Sequence, residues 1–193
     1  MNKTRVLFFV AASLALAAAE PSLAVTKPKA KPAPAASGNA AADPGPAKSL
    51  GSEGTWSAYL AQNKAGKVCY LVGQPEKTEP ASMKRKPVMA MVTHRTEDNV
   101  SNVVSFDEGY PLKADDDVVV EVGPEKFPLF GKDDTAWART AELDKTIVTA
   151  LAKGKDVVVK GTPQKGHPTT DTYLLAGFSK ALALIDKACD VKR

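Results

Sequence analysis

From Trp56 onward the chain is written in short runs rich in β-branched and aromatic residues, each closed by turn residues. This rhythm limits the fold more than any other feature. The runs are Trp56–Leu60, Val68–Val72, Val88–His94, Val100–Phe106, Val118–Val122, Phe127–Phe130, Val157–Lys160 and Thr172–Gly177. Val104 and Phe106 fall on one face of their run, as in a strand with one side on a core. Val88 to Val92 is apolar on both faces, the pattern of a strand covered on two sides. Gly66-Lys67, Asp107–Pro111, Gly123-Pro124 and Gly161–Gly166 punctuate these runs as turns or loops.

Two segments break the period. Between Glu142 and Lys153, the residues Leu143, Ile147, Ala150 and Leu151 fall on one helical face, and Gly154 follows as a stop. From Ser179 to Cys189, Leu182, Ile185 and Cys189 share helical spacing, with Ser179 as the expected N-cap. The expected class is mainly β. It is a single-domain antiparallel β-sandwich or flattened barrel with two short amphipathic helices.

The first 24 residues read as an export signal, with Lys3 and Arg5 before an apolar run from Val6 to Ala19 and small residues at Ser22-Leu23-Ala24. That run is shorter than the ~20 residues a helix needs to cross a bilayer. Cleavage after Ala24 therefore leaves no transmembrane segment, and no cysteine lies near for a lipid anchor. Residues 25–53 read as a disordered spacer of Pro, Ala and Lys, since the segment has too few large apolar side chains to offset the entropy of ordering. Its prolines (Pro28, Pro32, Pro34, Pro44, Pro46) favour extension at about 3 Å per residue. The folded domain is then 54–193, of ordinary size for one core. The net charge of +4 arises in the flanks, because residues 49–193 hold 20 bases and 20 acids. Nothing in the domain supports nucleic acid as a partner.

Two cysteines, Cys69 and Cys189, in an exported chain predict one disulfide. Neither has a second Cys, a His or a CxxC partner nearby, so a metal pair and a redox pair are both disfavoured.

Motifs for chemistry are missing. The sequence holds two histidines, His94 and His167, and no GxSxG, HExxH, P-loop or GxGxxG. Asp115-Asp116-Asp117 reads as a solvated turn, since three adjacent side chains do not converge on one calcium. Lys84-Arg85-Lys86 reads as an exposed loop, and Thr169-Thr170-Asp171 as a polar hairpin entering the last strand. Trp56 and Trp137 read as core fillers. No catalytic residue, cofactor site or metal site is predicted.

One ordered set of short motifs carries more. It begins with Gly54-Thr55-Trp56-Ser57, Lys67-Val68-Cys69-Tyr70 and Asn99–Asn102, and continues with Gly109–Lys113, Phe127–Phe130 and Ala136-Trp137-Ala138. It ends with Leu151–Lys155, Thr169–Tyr173, Leu175–Phe178 and Ile185–Cys189. In this order, over 54–193, the chain resembles the invasion-associated locus B family of alphaproteobacteria. The resemblance implies an exported, β-rich envelope protein linked in pathogens to host-cell invasion, and no enzyme activity. Many members carry further cysteines after the first Trp and before the long helix, where this chain has Ser57-Ala58 and Gly131–Asp134; Cys69 and Cys189 match the pattern.

Two functions stay open at this point. One is a non-catalytic periplasmic or outer-membrane-associated protein, or a secreted one, that binds an unidentified envelope or host macromolecule. The other is a periplasmic hydrolase with a motif-free site near His94 or His167.

Overall fold

The computed structural model describes residues 46–62 and 64–193. The expected signal over 1–24, and the spacer up to residue 45, lie outside the described residues. Within them the order is β1 (Lys48–Glu53), β2 (Trp56–Gln62), β3 (Lys67–Gly73), β4 (Lys77–Glu79), β5 (Met89–Arg95) and β6 (Val100–Asp107). Then come β7 (Val118–Val122), β8 (Glu125–Lys132), β9 (Thr135–Trp137), α1 (Ala141–Lys153), β10 (Asp156–Gly161), β11 (Thr169–Leu174) and α2 (Phe178–Ala188). The expected mainly-β class with two helices is what is observed. The strands form one antiparallel sheet in the order β1-β2-β3-β5-β6-β9-β8-β7-β10-β11-β4.

Alternation sets the inner face. Ala58, Leu71, Val92 and Val104 are cross-strand neighbours on β2, β3, β5 and β6, and all four are buried. Beside them run Trp56, Gly73, Ala90 and Phe106 in the next inward row. Gly73 is required there by space, because a Cβ on it would come within 2.5 Å of the Trp56 ring. The sheet then turns back over this face. Tyr173 of β11 meets Phe106 of β6 edge-on at 6.1 Å, and the Trp56 indole N–H donates to the Leu174 carbonyl at 2.8 Å. Val118, Val120, Val157 and Val159 close the core from the returning strands.

The helices cover the rest of the inner face. α1 starts where the Thr140 hydroxyl accepts from the Leu143 N–H, and it buries Ile147, Val148, Ala150 and Leu151. α2 buries Phe178, Ala181, Leu182 and Ile185, with Phe178 against the Trp56 ring at 4.9 Å. Its N-cap is Gly177, not Ser179; the Ser179 hydroxyl donates instead to the Ala152 carbonyl at 2.9 Å and ties α2 to the end of α1.

Two further boundaries differ from expectation. Lys48–Glu53 falls within the expected spacer but is a strand, paired antiparallel with β2 and shifted in register near Gly51. Pairing with β2 and contact of Leu50 with the core give it an order its composition does not announce. β11 begins at Thr169, three residues before the expected strand, so Thr169 and Asp171 lie inside the sheet and are buried. No helix among the described residues is long and apolar enough to cross a membrane.

Candidate functional site

The chemistry-bearing side chains gather in two places. The first is a clasp around the C-terminus. Cys69 of β3 is bonded to Cys189, at the end of α2, with Cα atoms 6.0 Å apart. His94 sits opposite Cys69 on β5 and is buried. Its Nδ1 accepts the Asn102 backbone N–H at 3.0 Å, so in the neutral ring the proton resides on Nε2, which lies 2.9 Å from Asp186 Oδ1. The Arg193 guanidinium bridges Asp186 through two nitrogens, at 2.5 and 2.8 Å, and donates to the Asn102 side chain at 2.8 Å. Burial raises the Asp186 carboxyl, but hydrogen bonds from His94 and Arg193 outweigh it and hold the group below the usual range. Lys67 completes the clasp by donating to the Ala188 carbonyl at 3.0 Å.

The second place lies between the end of β6 and β11. Arg85 grips Asp171 with both terminal nitrogens, and their side chains are 6% and 0% exposed. Burial alone would favour a neutral guanidinium; the hydrogen bond and charge of Asp171 outweigh it and raise the Arg85 pKa. The same guanidinium donates to the Glu108 carbonyl at 3.3 Å. Beside it the Tyr110 hydroxyl donates to Glu108 Oε2 at 3.0 Å and meets the Thr169 hydroxyl at 2.5 Å. Gly161 makes room for this group, since a Cβ there would stand 2.6 Å from the Tyr110 hydroxyl and 2.8 Å from Glu108 Oε2. The guanidinium thus binds one carboxylate, Asp171, and the backbone of Glu108, whose own carboxyl is held by Tyr110. Glu108, fully buried, is pushed up to about 7 by burial first and by the Asp171 charge second. Glu108 Oε1 and the Tyr173 hydroxyl have no protein hydrogen-bond partner.

Asp144 stands apart from both. It lies in the first turn of α1, is 8% exposed, and accepts the Val104 N–H of β6 at 2.8 Å. Burial pushes it up to about 7 against that single hydrogen bond.

Of the residues singled out in the sequence, Cys69 and Cys189 are brought together. Trp56 is core, while Trp137 is half-buried. Asp117 is exposed and paired with Arg139 at 2.6 Å, and Asp116 is paired with Lys113 at 2.9 Å. His94 and His167 are not brought together: the first is enclosed in the clasp and the second is exposed. Trp137 is thus not the core filler expected, and two other readings need correction. Arg85 is not part of an exposed loop, although Lys84 and Lys86 are exposed, and Asp171 is not in a polar hairpin. Each is buried because the other neutralises it, a partnership 86 residues apart in the chain. Glu108, Tyr110 and Asp144 gave no sign, since Glu108-Gly109-Tyr110 reads as a turn and Asp144 as an ordinary acid in a first helical turn. Among the described residues no three His, Cys, Asp or Glu side chains are grouped to hold a metal ion.

The sequence model for the invasion associated locus B (IalB) protein family matches residues 56–186. The chain belongs to that family. The matched span runs from the start of β2 to Asp186 of the clasp, leaving β1 and Cys189 outside it. Among solved structures, invasion associated protein b from Bartonella henselae is similar at a TM-score of 0.53, with 21% identity, covering 74% of this chain and 99% of that one. At that identity the likeness is one of fold, and it agrees with the mainly-β architecture. Among curated proteins none matches.

Proposed function

We propose that this IalB family member is an exported, non-catalytic envelope protein that acts by binding another macromolecule. The observation that carries the reading is where its reactive groups go. Arg85 binds Asp171 and His94 binds Asp186 across distant segments of the chain, and the buried Glu108 carboxyl is held by its neighbour Tyr110. Groups committed in this way hold a fold together, whereas a hydrolase presents an acid or base to a cleft. The open cleft beside Arg85, about 380 Å³, is lined by Pro75, Met83, Pro87 and Val88. It offers that guanidinium, already bound to Asp171, and no carboxylate or imidazole, and a second open cleft along α1, about 260 Å³, offers only the exposed Glu125 between Lys145 and Lys153.

Family membership and the disulfide support an oxidising, extracytoplasmic setting. In this reading residues 1–24 are removed on export, and the spacer ends before β1 at Lys48. Intact mass of the native protein tests export, with loss of 24 residues expected and a full-length membrane-bound chain contradicting it. For binding, the immobilised chain is exposed to envelope extract beside a broad hydrolase panel. Retention of a macromolecule that survives substitution of His94 and His167, without turnover, supports the reading. Turnover abolished by either substitution overturns it.

A further inference from the structure

The face of the sheet opposite the two helices is the least ordinary surface of the molecule. One cross-strand row runs through Ser57, Val72, Met91, Ser105, Trp137 and Phe130, from β2 across to β8. The next row runs through Tyr59, Tyr70, Thr93 and Val103. All but Ser105, which is buried, are half-buried alternates of the inward-facing core residues. In a chain that is 25% charged, none of these ten positions carries a charge, and five carry a hydroxyl. Solvent-facing strands ordinarily place Lys, Glu and Arg at such sites.

The aromatic rings are arranged in pairs. Tyr59 and Tyr70 stack at 5.3 Å with planes 23° apart. Trp137 and Phe130 are direct cross-strand partners at the other end, and Trp137 stands three strands across and one row along from Tyr70, about 16 Å away at ordinary strand spacing. Arg139 lies over the Phe130 ring at 5.5 Å and is already paired with Asp117.

Charge decides among occupants. A polyanion or an anionic lipid surface needs free cations, and these two rows have none. A second copy of the chain needs a well-packed apolar centre across about 800 Å² per partner. Here aliphatic side chains are few, and hydroxyls interrupt them in both rows. An uncharged glycan fits both halves of the pattern. The C–H faces of its sugar rings stack on aromatic rings, and its hydroxyls exchange hydrogen bonds with Ser, Thr and Tyr. We propose that this face binds an uncharged polysaccharide strand laid across the strands between the Tyr59–Tyr70 pair and Trp137. The assignment rests on the binding function proposed above and names its ligand class.

Affinity electrophoresis of the full chain tests it, through native gels holding soluble starch, dextran, β-glucan or glycol chitin, with heparin as the charged comparison. At least one neutral gel retards the chain, and Tyr59→Ser with Tyr70→Ser weakens that affinity at least tenfold in a variant that still unfolds cooperatively, at a melting temperature lowered by loss of the stacked pair. Trp137→Phe, which keeps an aromatic ring, serves if the double variant does not fold, and it lowers affinity without abolishing it. Passage through all four neutral gels without retardation overturns the proposal, as does retardation by heparin alone. A concentration-dependent dimer that the tyrosine substitutions abolish also overturns it, by giving the face to a second copy. If the neutral gels fail while envelope extract still yields a retained macromolecule, this face loses its assignment and the binding function stands.

Discussion

Replacing Asp144 with Asn should stabilise the protein at neutral and alkaline pH and flatten its dependence on pH. The carboxyl is pushed up to about 7 from an ordinary 3.8 because burial disfavours its charge and one hydrogen bond from Val104 does not compensate. A group whose folded pKa is raised contributes stability that is complete below its unfolded pKa and is lost as pH rises through the folded one. For Asp144 the loss begins near pH 4 and ends above pH 7, and a shift of about three units corresponds to about 4 kcal/mol at most. Asn keeps an oxygen to accept the Val104 N–H and has no charge to desolvate. D144N should therefore match the native chain near pH 4 and exceed it by about 2 to 4 kcal/mol at pH 8. Urea unfolding of the oxidised protein at pH 4.5, 6 and 8 measures this directly. A residual slope of the same sign belongs to Glu108, which titrates over a similar range, and E108Q should remove it. Equal pH slopes for D144N and the native chain, or lower stability of D144N at pH 8, would refute the reasoning.

Three further outcomes follow from the same structure. Denatured, unreduced protein should show no reactive thiol, and reduction should lower stability by up to about 5 kcal/mol, given the 120-residue separation the bridge spans. Arg85→Met leaves Asp171 buried and unpaired, and calorimetry should register a loss of about 3 to 5 kcal/mol; a double variant, Arg85→Met with Asp171→Leu, should recover much of it. Gly73→Ala forces a methyl group against the Trp56 ring, costing about 1 to 3 kcal/mol and changing the indole emission of a side chain otherwise fixed on Leu174.

The long strands and both helices were legible because they announce themselves locally: alternation marks β5 and β6, and helical spacing marks α1 and α2. β4 and β9 have three residues each, too few for a period to show. β1 offers only Leu50 as a large apolar residue, and its order comes from pairing with β2, an event outside its own sequence. The start of β11 is hidden in the sequence for a related reason. Asp171 is a turn former by composition and Thr169 directly follows Pro168, and both are held in the strand by Arg85 and Tyr110 from distant segments. The disulfide could be paired because two cysteines leave one choice. A buried network of single Arg, Glu, Asp and Tyr residues leaves many choices, and only the fold selects among them.

If the buried polar groups hold the fold and the uncovered sheet face does the binding, the two can be separated in one comparison. Retention of envelope material would be measured on three immobilised chains: the native protein, E108Q with D144N, and Tyr59→Ser with Tyr70→Ser. The core variant should retain its partner undiminished while its unfolding loses pH dependence, and the surface variant should lose retention while still unfolding cooperatively, less stable only by the lost stacked pair. Loss of retention in the core variant, with full retention in the surface variant, would contradict that division.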